Sequence, residues 1–318
     1  MRQVGLFGPA LLALAAPPAL AGPNEDRSAL YALRADDARL QAIGWKFVTG
    51  NAPFCDARPA IGLLLQDMGN FPDPAQVRAA AGIAGDIVAQ AVVPDSPAAL
   101  VGIGTGDEIV SFGGRAMADL PPVKPGDWRR LYGLFDAIDA AVARDGAVRI
   151  GWRGKHGSHE AVIAGVPACP TRFELLDGST RAVAEGKRVV IGRKFAGFGY
   201  PDDLFAAAVA HEFAHTLLAH SAWLKSAGRS RTNIRTTEDE ADRLTPWLLA
   251  NAGFNPQSAV RLFERWGPDH DGGLFRSRNH SGWDERAEAI AAEIEGIKPL
   301  RGADGRADWR AHFVRTTR

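Results

Sequence analysis

The segment AAAVAHEFAHTLLAH, residues 206–220, sets His211, Glu212 and His215 inside a run of alanine, leucine and valine. Two imidazoles four positions apart on a helix lie about 40° apart around its axis, close enough to share one cation. Glu212 projects from the adjacent strip, where a carboxylate can hold water and take its proton. His-Glu-x-x-His on a helix is the pattern of zinc hydrolases, with the glutamate as general base. The competing reading is a pair of hydrogen-bonded core histidines.

Zinc needs a third protein ligand, and the candidates sort the class. A third histidine six residues after His215 is excluded, because Ser221 stands there and Leu218 replaces the glycine that such a loop requires. His220 falls one position short and is expected to support a ligand or the fold. About two dozen residues on, TTEDEADRLTPWLLANAGFNP places Glu238 and Asp242 four apart. A second helix can therefore offer one carboxylate to the metal while the other orients a histidine. Thr236 or Thr237 is the expected cap of that helix. Glu240 is the weaker ligand candidate.

The elements that must position these groups follow from periodicity. Helices are expected at about 202–225, 236–252, 256–266 and 283–296, with GFNP and GPDHDGG as breaks. Earlier in the chain, Leu30, Leu33, Leu40, Ile43 and Phe47 mark a helix that ends at Gly50 and Asn51. Residues 59–167 change texture to short apolar runs broken by glycine and proline, a β-rich pattern interrupted by the helix WRRLYGLFDAIDAAVARDG. After Cys169, two or three strands lead into the active-site helix, and the strand near VVIGRKF is the expected edge on which a substrate lies extended. The closing residues, RGADGRADWRAHFVRTTR, are polar and expected to be loosely held.

With 318 residues, 46% of them apolar, the chain can bury a sizeable core in one large domain or two ordinary ones. Its 37 basic and 37 acidic residues cancel, so no overall field draws it to nucleic acid or an anionic membrane. The first residues, MRQVGLFGPALLALAAPPALAGP, have the form of a secretory signal with Ala19-Leu20-Ala21 as the cleavage site. Pro9, Pro17 and Pro18 argue against a membrane span. An exported chain can form disulfides, and Cys55 and Cys169 are the only cysteines. GIGTG at 102–106 precedes a strand rather than opening a helix, so it is turn chemistry and not a dinucleotide site.

VVPDSPAALVGIGTGDEIVSFGGRAM, beginning at Val92, resembles a PDZ domain of the kind attached to bacterial proteases. The resemblance covers residues 58–168. It implies that Ile61, Gly62 and Leu63 form the loop whose backbone N–H groups take a peptide carboxylate, with the next strand adding the peptide by β-augmentation. A PDZ fold used only as a spacer is the alternative. LPPVKPGDW before the helix is an insertion relative to that pattern.

HEFAH, then EDEADRL, then LLANAGFNPQSAVRLFERW resemble the gluzincin metallopeptidases of the CAAX prenyl endopeptidase, HtpX heat-shock protease and BepA-like quality-control kind. The resemblance implies zinc on His211, His215 and Glu238, with Asp242 as the partner that orients a ligand. The family's late His-Pro segment corresponds to HSGWDER, which supplies His280 and Arg286 as oxyanion stabilisers, or His280 as a fourth ligand closing the site; serine replaces the proline. The implied fold is α+β. A signal peptide (1–21) precedes an N-terminal helix (22–57), an inserted PDZ domain (58–168), a mainly helical zincin-type domain with a small sheet (169–300) and a tail (301–318).

Cys55 and Cys169 stand at the two seams of the insert, where a disulfide would clamp its base; two buried free thiols are the alternative. The expected activity is zinc-dependent hydrolysis of peptide bonds in unfolded or misassembled envelope proteins by a periplasmic or secreted enzyme, with peripheral docking on an envelope complex left open. The alternative is a latent or inactive metallopeptidase that serves as a PDZ adaptor or chaperone.

Overall fold

Apolar residues three or four apart build the first helix, α1 (Pro23–Gly50), in the computed structural model, which describes residues 23–267 and 282–317. The signal peptide expected at residues 1–21 lies outside the described residues. The chain is α+β. The two halves of α1 serve different cores. Leu40, Ile43, Phe47 and Val48 enter the main cluster, whereas Leu30 packs with Met68, Phe71, Val77 and Val88. The helix therefore joins residues 58–168 to the mainly helical half that follows and does not belong to the latter alone. Asp37 makes part of that joint, accepting from Gln90 Nε2 at 2.8 Å.

Residues 58–168 hold β1 (Arg58–Ala60), β2 (Leu63–Asp67), α2 (Pro74–Ala81), β3 (Ile87–Val92), α3 (Pro97–Leu100), β4 (Glu108–Phe112), β5 (Arg115–Ala116), α4 (Arg129–Asp145), β6 (Ala147–Gly154), β7 (Gly157–Ala164) and β8 (Val166–Ala168). The antiparallel sheet β2-β3-β4-β6-β7, with β5 on β4, covers a cluster of its own that includes Ile87, Ile109, Leu134, Ile138 and Trp152. Gly102 and Gly106 take φ of 93° and 94° in the turns before β4, a conformation that needs glycine. At the neck β1 pairs antiparallel with β8, and Cys55 is disulfide-bonded to Cys169.

The mainly helical half continues with β9 (Arg172–Leu176), β10 (Ala182–Glu185) and β11 (Arg188–Gly192), then α5 (Asp202–Leu217), α6 (His220–Ala227), α7 (Arg231–Asn251), α8 (Gln257–Trp266), α9 (Trp283–Ile297) and α10 (Trp309–His312). The strand order is β10-β11-β9. VVIG is therefore the central strand, not the expected edge, and its Val189, Val190 and Ile191 are buried, as a strand flanked on both sides should be. The edge beside α5 is β10. α5 carries apolar side chains nearly all round, from Phe205 through Ala210 to Phe213 and Ala214, and every one is buried.

Two helix boundaries differ from expectation. The helix foreseen at 202–225 breaks at Ala219, whose φ of 55° is left-handed. The helix foreseen from 236 starts at Arg231 and is capped by Ser230, which accepts from Asn233 N–H; Thr236 and Thr237 lie inside it. The closing segment, expected to be loose, is docked. Ala307, Trp309, Phe313 and Thr317 are buried. Asn251 donates to Asn51 Oδ1 at 2.9 Å and to Ala307 O at 3.0 Å, and accepts from Ala307 N–H at 2.8 Å. Paired amides of this kind satisfy one another where water cannot reach.

Candidate metal centre

α5 and α7 lie against each other and bring together the only group of three metal-competent side chains among the described residues: His211, His215 and Glu238. His211 Nε2 is 3.2 Å from His215 Nε2 and 3.4 Å from Glu238 Oε2, and His215 Nε2 is 3.6 Å from Glu238 Oε1. Donor atoms about 2.0 to 2.1 Å from a tetrahedral zinc are separated by about 3.3 to 3.4 Å. The two ring nitrogens stand at nearly that separation, and each has one of the two Glu238 oxygens within 3.6 Å, so the three side chains converge closely enough to share one such ion. The three side chains keep 13 to 20 % of their surface exposed, so the cluster has a side open to a substrate.

Each histidine is held from behind. His211 Nδ1 is 3.0 Å from Asp242 Oδ1. Arg286 in turn forks onto Asp242, from Nε at 2.5 Å and Nη2 at 2.8 Å. This placement corrects the role expected for Arg286. Its guanidinium is only 3 % exposed, lies over the Phe263 ring and has its fork committed to Asp242 rather than to an oxyanion. His280 lies outside the described residues.

His215 has a different support, and sequence reasoning placed only part of it. His220 Nδ1 is 2.8 Å from His215 Nδ1, and His220 Nε2 is 3.0 Å from Glu240 Oε2. Glu240 is fully buried and is not one of the three residues of the metal-competent group. Beyond His220 it accepts from Thr316 N–H, Thr317 N–H and the Thr317 hydroxyl. No turn residue announces the break at Ala219 that brings His220 round.

The electrostatics follow from burial and these contacts. Burial drives the Glu212 carboxyl up to about 7; neighbouring His211 pulls it down and Glu238 pushes it up. The backbone of Ala184 on β10 and Arg181 also favour its ionised form. Burial opposes charge on His211, but its bonds to Asp242 and Glu238 prevail and carry it up to about 10. Burial holds His215 down to about 3. Glu238 is depressed despite its burial, through its coupling to His215, its bond with His211 and the nearby charge of Arg286. Hydrogen bonds from His220 and Thr317 outweigh burial at Glu240 and bring it to about 2.

Beside Glu212 an apolar recess opens between β10 and α8, lined by Phe195, Ala208, Leu262, Phe263 and Trp266. A second cavity of about 530 Å³ runs between β2, α4 and β9. Ile61, Gly62 and Leu63 line it together with Trp45, Ile138 and Arg172. Ile61 O and Gly62 O accept from Ala98 and Val93 N–H, and Gly62 takes φ 71° with Ser96 pressed where a Cβ would be. α4 is tied to the three-stranded sheet by Arg172, which reaches Asp136 and Asp139 at 2.6 and 2.7 Å, and by Tyr132, which bonds Glu174 and Arg188.

Compared with known proteins, the chain matches no family model and no curated protein. Among the described residues, no helix is long and apolar enough to cross a membrane.

Proposed function

We propose that the chain is a zinc-dependent endopeptidase of gluzincin type, with residues 58–168 as an inserted PDZ domain. The observation that carries this reading is the convergence of His211 Nε2 and His215 Nε2, 3.2 Å apart, on the Glu238 carboxylate, whose two oxygens lie 3.4 and 3.6 Å from them. Zinc held there would acidify water and polarise a carbonyl oxygen. His211, His215 and Glu238 would hold it, with Asp242 and His220 fixing the two rings.

Glu212 is the general base. Its buried carboxyl stands next to His211 on the same helix, placed to take a proton from attacking water and pass it to the leaving amine. β10 offers an unpaired sheet edge beside the site, on which a peptide can lie extended. The recess lined by Phe195, Leu262 and Trp266 suits an apolar side chain next to the scissile bond.

The groove at Ile61-Gly62-Leu63 is the docking place for an apolar peptide end, and the substrates are unfolded or misassembled proteins of the cell envelope. The signal-like N-terminus and the disulfide support export to an oxidising compartment.

Casein cleavage tests the reading. The wild-type protein is expected to cleave casein, and Glu212→Gln is expected to lose at least 100-fold in rate on the scale of general-base catalysis. Equal turnover by both proteins would refute the assignment of the base. A protein lacking residues 58–168 that cleaves every tested substrate at the wild-type rate would remove the recruiting role from the insert.

A further inference from the structure

We infer that Glu240, His220 and the segment Arg315–Thr317 form a positioning relay for His215, so that the closing stretch of the chain is part of the metal centre. The inference rests on His215 being a metal ligand, as proposed above, and it gives Glu240 and the closing segment a role that the motifs do not.

The hydrogen-bond roles run in one direction. Glu240 is reached by two backbone N–H groups, from Thr316 and Thr317, and by the Thr317 hydroxyl at 2.6 Å. A backbone N–H only donates, so Glu240 serves as acceptor to both. Towards His220 the same carboxylate accepts again, which puts the proton of that ring on Nε2, 3.0 Å away. The Nδ1 of a neutral His220 is then a bare acceptor. It faces His215 Nδ1 at 2.8 Å, so His215 carries its proton on Nδ1. The lone pair of His215 is thereby left on Nε2, the atom in the donor triangle. With one proton on the His220 ring, reversing a link would set two donors or two acceptors against each other in a buried space.

The fold commits backbone conformation to this contact. Had α5 continued, position 220 would stand about 140° around the helix from His215 and could not touch it. Instead Ala219 adopts φ 55° and α6 turns back. Arg315 fastens the same corner, donating from Nη2 to Leu218 O at 2.8 Å, with its Nε 3.8 Å from Glu240. Phe313 is buried with Arg243 over its ring, and Arg243 also donates to Val314 O. A fully buried Glu240 beside a His220 only 1 % exposed is a costly way to fill space. It makes sense where a ligand ring must be held in one tautomer and one orientation, as outer partners of metal-binding histidines do.

The test uses Thr317→Val, which keeps the shape but removes the hydroxyl, Glu240→Gln, and Thr317→Ser as the conservative rescue. Arg310→Ala is the control, since it cuts a contact of the same segment to Asp56 without touching Glu240. Zinc affinity is measured by chelator competition. Glu240→Gln and Thr317→Val are expected to lose about 10- to 100-fold, with Thr317→Ser and Arg310→Ala near wild type. The Co²⁺-substituted protein should show a shifted visible spectrum in the first pair alone. In the metal-free protein, nitrogen NMR should find His215 protonated on Nδ1, and Glu240→Gln should mix its tautomers. Wild-type zinc affinity in folded Thr317→Val and Glu240→Gln overturns the relay while leaving the metal centre intact. A wild-type chain that takes up no zinc overturns the metal reading and the relay's purpose with it. The tautomer measurement then still reports whether the hydrogen-bond chain exists.

Discussion

At the scale of single residues, the centre divides into what binds and what holds. His211 and His215 were legible because a helix brings every fourth position to one face. Glu238 and Asp242 were legible for the same reason. Arg286 carries the heaviest local burden, since it forks onto Asp242 where both side chains are 3 % exposed. Replacing it with methionine keeps the volume and strands a buried carboxylate. Arg286→Met is expected to cost about 3 to 5 kcal/mol in urea denaturation, as breaking one side of a buried ion pair does. A cost below about 1 kcal/mol would mean that Asp242 finds another partner or a proton. The support of His215 was not legible, because it depends on an alanine in the left-handed region, and alanine carries no turn signal. Arg286 was misassigned because spacing places a residue near a site but does not say which carboxylate its fork will meet.

At the scale of elements, the edge strand and the joint between α1 and the insert decide the architecture. The continuous apolar run of VVIG marks a strand buried on both sides, whereas the edge β10, AVAE, is short and only half-buried. Pattern alone drew attention to the stronger strand, which is the central one. α1 was legible as a helix, but its double allegiance was not, since one amphipathic stripe does not reveal that its two ends meet different partners. Asp37 sits at that joint. Burial raises its carboxyl to about 6, despite the bond from Gln90 and the nearby Arg193. The folded protein therefore holds this proton more tightly than the unfolded chain does. The stability tied to it is present below about pH 4 and is lost as pH rises through about 6. Asp37→Asn is expected to remove that slope and to raise stability at pH 7 by about 3 kcal/mol, the free-energy equivalent of a shift of about two pH units. Denaturation at pH 4, 5, 6 and 7 measures it, and parallel curves for both proteins would contradict the placement of Asp37.

At the scale of the whole molecule, the chain ties its insert down at three places. The β1–β8 ladder and the Cys55–Cys169 bridge close the neck, α1 spans both cores, and Arg172 and Arg188 of the three-stranded sheet hold α4. The disulfide closes a separation of 114 residues. Its replacement by Cys55→Ser with Cys169→Ser is expected to cost about 4 to 5 kcal/mol on the chain-entropy account, read as the difference in unfolding free energy. A loss below about 1 kcal/mol would show that the ladder alone closes the neck. The seams of the insert were legible because texture changes at both cysteines. The docking of the closing segment was not, because the two aromatics that anchor it, Trp309 and Phe313, stand in an otherwise polar stretch. The central claim is that His211, His215 and Glu238 hold one zinc ion. Zinc content after dialysis, measured for the wild type, Glu212→Gln and Glu238→Ala, tests it most directly. About one zinc per chain in the first two and little in the third is the expected result. Zinc absent from the wild type, or retained in full by Glu238→Ala, would contradict it.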